Sequence, residues 1–176
     1  YTGFVNASFG AGAVAVLGAY PLVTYAAPNL AQSALLTDFA FACPTLTTAA
    51  LFSAQVDTYA YEFDDPTAPT QVPSPFIEQR SYHSAEVQYL FRQPLSAFGF
   101  GPLVALSTAQ QVLSDTMIDY WARFAANGDP NGAGLPGWGR HVLPNGPVQR
   151  LSQVAIGRVG TFGADHNCSF WAGFGV

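Results

Sequence analysis

Three features of the chain predict an α/β fold. Residues 56–63, Val-Asp-Thr-Tyr-Ala-Tyr-Glu-Phe, are β-branched and aromatic in the manner of a strand buried largely on both faces. Residues 107–127 carry Leu113, Met117, Tyr120, Trp121 and Phe124 on one helical face, between a Ser107/Gln110 capping box and a terminating Gly128. The order helix, strand, long loop, helix belongs to proteins that gather functional groups on loops beyond the carboxyl ends of strands.

The remaining elements follow from local chemistry. Residues 9–19 are expected to form a weak, glycine-interrupted helix ending before Pro21. Pro28 suits the first turn of a second helix, where its missing N–H costs nothing. Leu30, Ala34, Leu35 and Phe41 continue that helix to Pro44, with a resumption as far as Ala54. Pro66, Pro69, Pro73 and Pro75 forbid regular structure after the strand, so a long loop leads to His83. A short helix over residues 84–91 follows, then the helix at 107–127. Residues 148–151 suggest a short edge strand, and Asp165 is placed to cap a final helix through Phe174.

Length permits one complete domain. Composition argues that something else covers part of it: 49% of residues are hydrophobic and only 10% charged, against about 25% charged in an ordinary soluble domain. Residues 1–37 hold no Asp, Glu, Lys or Arg, and the first charge is Asp38. A membrane span is not expected, because the most apolar stretch, residues 11–23, falls short of the roughly 20 residues a bilayer needs and is interrupted by Gly12, Gly18 and Pro21. A signal peptide needs a basic leader, so any targeting segment is expected upstream of Tyr1. A net charge of -5 with no basic cluster provides no footprint for a phosphate backbone, which excludes nucleic acid as an expected partner. Cys43 and Cys168 match no zinc or redox spacing and are either a disulfide or two buried thiols.

His83 is the residue placed for chemistry. A neutral imidazole takes a proton near pH 7, so a loop histidine beyond a buried strand suits a general base, although a surface or cap histidine satisfies the same pattern. Glu86, three residues on, stands where its carboxylate reaches back to the backbone N–H of residue 83 if a helix begins there. That fixes the loop without making Glu86 an orienting acid. Tyr89, Leu90 and Phe91 add apolar anchoring.

The block Tyr82-His83-Ser84-Ala85-Glu86-Val87-Gln88-Tyr89-Leu90-Phe91 resembles the histidine block of the type-B carboxylesterase and cholinesterase family, roughly His-x-x-Glu followed by an aromatic-rich stretch ending in Phe. Asp38-Phe39-Ala40-Phe41-Ala42-Cys43-Pro44 is similar to that family's Phe-x-Cys-Pro helix, and Tyr59-Ala60-Tyr61-Glu62-Phe63 to the strand before its histidine loop. The run from Met117 to Ala125, Asn127-Gly128-Asp129-Pro130-Asn131 and Trp138 resemble its late helix, turn and following aromatic, and Cys168-Ser169-Phe170-Trp171 resembles its terminal Cys-x-Phe-Trp.

The resemblance implies that residues 1–176 are the C-terminal portion of a single α/β-hydrolase domain, few strands flanked by helices, whose missing N-terminal part supplies the nucleophilic serine, the oxyanion loop and the orienting acid. It implies His83 as catalytic base with Glu86 in support, a Cys43–Cys168 disulfide, a secreted location, a small hydrophobic ester as substrate, and neither cofactor nor metal. Two rivals stand beside it: a catalytically silent adhesion or binding relative of the same family, and a self-standing apolar ligand-binding module. Several motifs are set aside. Ser8 lacks the first glycine and the strand of a nucleophile elbow, and residues 10–15 lack the strand and acidic ligand of a dinucleotide site. Asp165, His166 and Cys168 form half a metal set at best, with His166 expected at the surface of a helix's first turn. His141 is expected in loop. Asp64 and Asp65 sit where an orienting acid can lie but follow the wrong strand. Asn6 and Asn167 begin glycosylation sequons.

Overall fold

The computed structural model describes residues 1–70, 81–92, 104–144 and 146–176; Pro73 and Pro75 of the proline-rich loop lie outside them. The chain divides into two compact units, Tyr1–Leu51 with Thr161–Val176, and Phe52–Gly160.

The first unit is helical. Its first helix begins earlier than expected: α1 (Thr2–Phe9) leads through a 3-10 turn, Gly10–Gly12, into α2 (Ala13–Ala19). Gly10 ends α1 at a φ of 50°, a left-handed value that glycine adopts without strain. Pro28 opens α3 (Pro28–Thr37) as expected. The helix does not stop at Pro44. It widens into a π-helical turn, Asp38–Ala42, and continues as α4 (Cys43–Ser53). Pro44 explains the widening, since it has no N–H to give and its ring crowds the carbonyl four residues back. The Cys43 N–H bonds Asp38 O, five residues back, and the extra residue makes room.

This unit packs around Trp171, which is fully buried with Val5, Val16, Tyr20 and Leu35. Rings of Phe39 and Phe170 lie 5.0 Å from Trp171 and that of Phe9 5.6 Å. The C-terminal helix is split into α7 (Phe162–Asp165) and α8 (Cys168–Ala172), separated by Asn167 at a φ of 52°. Asp165 therefore caps nothing at an N-terminus, and its carboxylate accepts from Thr161 Oγ1 at 2.8 Å. By length and composition alone, two helical runs among the described residues, Thr2–Thr24 and Pro28–Ser53, are apolar enough to cross a membrane. The apolar stretch at residues 11–23 lies within the first of these runs.

The second unit holds a three-stranded mixed sheet, β1 (Ala60–Phe63), β2 (Val148–Leu151) and β3 (Gly157–Val159), in the order β1-β2-β3. β1 runs parallel to β2, with Ala60 opposite Val148 and Phe63 opposite Leu151, and β3 runs antiparallel to β2. Two expectations change here. β2 is the central strand, not an edge. β1 is shorter than residues 56–63 and is not buried on both faces: Tyr61 is 38% exposed.

The connection from β1 to β2 carries α5 (Val87–Phe91) and α6 (Thr108–Asn127). The capping box of α6 forms as expected: Ser107 Oγ accepts from Gln110 N–H, Gln110 Oε1 accepts from Ser107 N–H at 2.9 Å, and Gly128 closes the helix at a φ of 71°. Leu113, Met117 and Tyr120 enter a core with Tyr89, Trp138 and Leu151. Trp138 is held by Asn131, whose side chain bonds both its N–H, at 2.7 Å, and its carbonyl, at 2.9 Å. The indole N–H then reaches Ala60 O on β1 at 3.1 Å. His141 is not loose: its N–H bonds Thr58 O at 2.7 Å in an isolated bridge, and the residue is buried.

Candidate active site

His83 lies at the surface in a tight turn ahead of α5, in the second unit. The Ala85 N–H bonds Tyr82 O at 2.9 Å across it, with His83 and Ser84 at the centre. Ser84 has a φ of 72°, a left-handed value that costs a non-glycine residue about 1 kcal/mol or more.

α5 begins at Val87 with Glu86 as its N-cap, and no side-chain cap bond is made. The helix expected over residues 84–91 thus starts three residues later, and the condition for Glu86 to reach the N–H of residue 83 is not met. The left-handed Ser84 is the reason, because it breaks the helical path between them. The Glu86 charge falls instead on Tyr61: burial first, then that carboxylate, raises the Tyr61 phenol above its ordinary pKa.

The turn is tied to the segment that follows β1. Tyr82 OH donates to Pro69 O at 2.7 Å, and the buried Gln88 donates to the same carbonyl at 3.0 Å. Tyr89 OH donates to Asp65 Oδ2 at 2.5 Å, and Ser114 Oγ of α6 donates to Tyr89 O at 2.5 Å. Asp65, two residues beyond β1, is fully buried. It also accepts from Thr67 N–H and Oγ1, from Gln110 Nε2 at 3.0 Å and from Gln153 Nε2 at 3.2 Å. Burial works to raise its pKa, but the bonds from Tyr89, Thr67 and Gln110 outweigh it and hold the carboxyl below its ordinary value. Burial and the Asp65 carboxylate together push the Tyr89 phenol strongly upward. Asp64 differs: its N–H bonds Leu151 O, and its carboxylate faces Arg150 at 3.3 Å near the surface.

A cleft of about 170 Å³ in the same unit is lined by Tyr59, Tyr61, Tyr120, Trp121, Phe124, Pro130 and Trp138, and His83 is not among its walls.

Cys43 and Cys168 form a disulfide, with their Cα atoms 5.2 Å apart, in the first unit. His166 is no simple surface residue. Its Nδ1 lies 2.7 Å from Asp38 Oδ1, while Asp38 Oδ2 accepts from Tyr20 OH, which in turn accepts from Trp171 Nε1 at 2.7 Å. Sequence reasoning passed over this network, and its one signal was that Asp38 is the first charge after a long uncharged stretch. The half metal set dissolves: Cys168 is in the disulfide, His166 is paired with Asp38, and Asp165 is bonded to Thr161. Asn6 and Ser8 sit exposed on α1, and no strand precedes Ser8.

Comparison with known proteins gives one family. The model described as carboxylesterase family matches residues 24–171. Over 125 residues the chain is 34% identical to a cocaine esterase of Oryctolagus cuniculus, covering 70% of this chain and 22% of that protein. It is 32% identical over 138 residues to a cocaine esterase of Homo sapiens, covering 78% and 23%. It is 31% identical over 129 residues to an acylcarnitine hydrolase of Mus musculus, covering 70% and 21%. The chain spans less than a quarter of the length of these curated relatives.

Proposed function

The chain belongs to the carboxylesterase family, and from that premise we propose that the protein of which it forms part hydrolyses carboxylic esters through an acyl-enzyme, with His83 as the base. The family implies an α/β-hydrolase, for which a helix-rich chain with a small three-stranded sheet is a partial domain. The serine, the oxyanion donors and the orienting acid come from polypeptide outside these 176 residues. His83 takes the serine proton as the hydroxyl attacks the ester carbonyl, then returns it to the departing alcohol; in deacylation it repeats both steps with water in place of serine. The substrate is an uncharged or hydrophobic ester, and the disulfide fits a secreted protein.

The observation that carries this reading is the attachment of an exposed histidine turn to Asp65 and Pro69, in the segment that follows the carboxyl end of a parallel strand, through Tyr82, Gln88 and Tyr89. An imidazole at the surface of an incomplete domain is accessible to a hydroxyl from the remainder. The rest of the domain also has a place to join, since β1 has an unpaired side among the described residues.

In the full-length protein, His83→Ala is expected to cut turnover of a chromogenic short-chain ester by about 1000-fold or more with the thermal midpoint unchanged. An active H83A enzyme removes His83 from the chemistry. The 176-residue chain alone is expected to leave such an ester intact, because a base without nucleophile or oxyanion donors has no intermediate to assist; ordinary esterase rates from it overturn the two-part reading.

A further inference from the structure

Gln88 is buried, and its amide faces three oxygens around the histidine turn: Pro69 O at 3.0 Å, Ala85 O at 3.1 Å and Tyr82 OH at 3.4 Å. Its two N–H groups are used by the two shorter contacts. Pro69 O takes a second donor, Tyr82 OH at 2.7 Å, so one carbonyl beyond β1 is gripped both by the residue before His83 and by the residue five after it. Ala85 O, on the other side of the turn, is gripped by the same amide.

The grip has a strained backbone to hold. A positive φ at the third residue of a four-residue turn belongs to the type II geometry, which prefers glycine there, and this chain has Ser84 at 72°. The relaxed alternative is a type I turn of the same four residues, reached by turning over the His83–Ser84 peptide. That move changes the backbone on which the histidine rotamer depends. Strain of this kind persists only where surrounding contacts over-determine it.

We propose that Gln88, acting with Tyr82 through Pro69 O, is a positioning residue that holds the His83 turn in its left-handed form and so aims the imidazole. The inference rests on the reading of His83 as base. Gln88 touches neither substrate nor reacting atoms; it acts through the turn.

The test uses the full-length protein and the same chromogenic ester. Gln88→Met keeps side-chain length and removes both donors. It is expected to lower kcat about 10-fold, with KM within about twofold, because a misaimed base loses turnover and leaves substrate binding intact. Tyr82→Phe, at a half-buried site, removes one donor and is expected to lower kcat by a smaller factor. It carries the test if Q88M fails to fold. Combined with His83→Ala, Q88M is expected to add no further loss, since its effect passes through the imidazole. Three results decide the matter. If H83A remains active, the underlying assignment of the base fails. If H83A is inactive while Q88M or, failing that, Y82F retains wild-type kcat, the positioning role fails. If Q88M lowers activity by the same factor with and without His83, Gln88 acts on stability or elsewhere, and the inference is overturned.

Discussion

Asp65 has no exposed surface, yet its surroundings favour the charged form. A buried carboxylate is ordinarily pushed toward neutrality, and here donors from Tyr89, Thr67 and Gln110 reverse that. Its folded pKa lies below the unfolded value near 3.8, so the charged form contributes stability that is fully present above that value and is lost as pH falls through the folded one. Between pH 6 and pH 3 the thermal midpoint should therefore fall with a component that Asp65→Asn abolishes. The substitution itself should cost about 2–3 kcal/mol at pH 7, because an amide N–H is turned toward groups that also donate. Thermal melts at the two pH values check the first and a urea titration at pH 7 the second; an unchanged acid slope in D65N refutes the first. Nothing in the sequence separates Asp65 from Asp64. Both end the same strand, and the distinction is made by partners 24, 45 and 88 residues away.

Among the elements, the helix from Pro28 to Ser53 shows how one proline reshapes its neighbourhood without ending a helix. The π turn at Asp38–Ala42 precedes Pro44, and it leads directly into Cys43 and so into the disulfide. Asp38 at its start joins His166, Tyr20 and, through Tyr20, Trp171. The bond links positions 125 residues apart, and closing so long a loop contributes on the order of 4 kcal/mol by the chain-entropy model. Replacing Cys43 and Cys168 by Ser, or reducing the bond, should lower stability by that order and raise fluorescence exposure of Trp171 before the second unit melts. A urea titration followed by tryptophan quenching checks it, and coincident unfolding of all tryptophans with no loss of stability counts against it. The capping box at Ser107 needed no such context. It lies within four consecutive residues, which is why the sequence already contains it.

At the scale of the whole molecule, a sheet with an unpaired edge among the described residues and a helical unit whose first 37 residues carry no charged side chain point the same way. Sheets in compact domains commonly have about four to six strands, and parallel pairs are usually covered on both faces; among the described residues this one has three strands, with β1 at its end. Val14 and Val23 are 83% and 91% exposed in the first unit. By calorimetry, the isolated 176-residue chain should melt broadly, whereas the full-length protein should give a sharp transition that includes these residues. A sharp, cooperative transition in the isolated chain instead identifies a self-standing module.

What the sequence by itself determined was local or compositional: the α6 helix with its caps, the existence of a strand before the histidine, the histidine block with its family resemblance, and the shortage of charge. Tertiary structure alone decided that β2 is central, that α5 starts after a left-handed Ser84, that His166 pairs with Asp38, and that Gln88 and Tyr82 share one carbonyl. The physical reason is range. Capping and amphipathic periodicity act over three or four residues and leave a pattern in the chain, whereas strand order, buried carboxylates and turn clamps are set by partners that folding brings together from tens of residues apart.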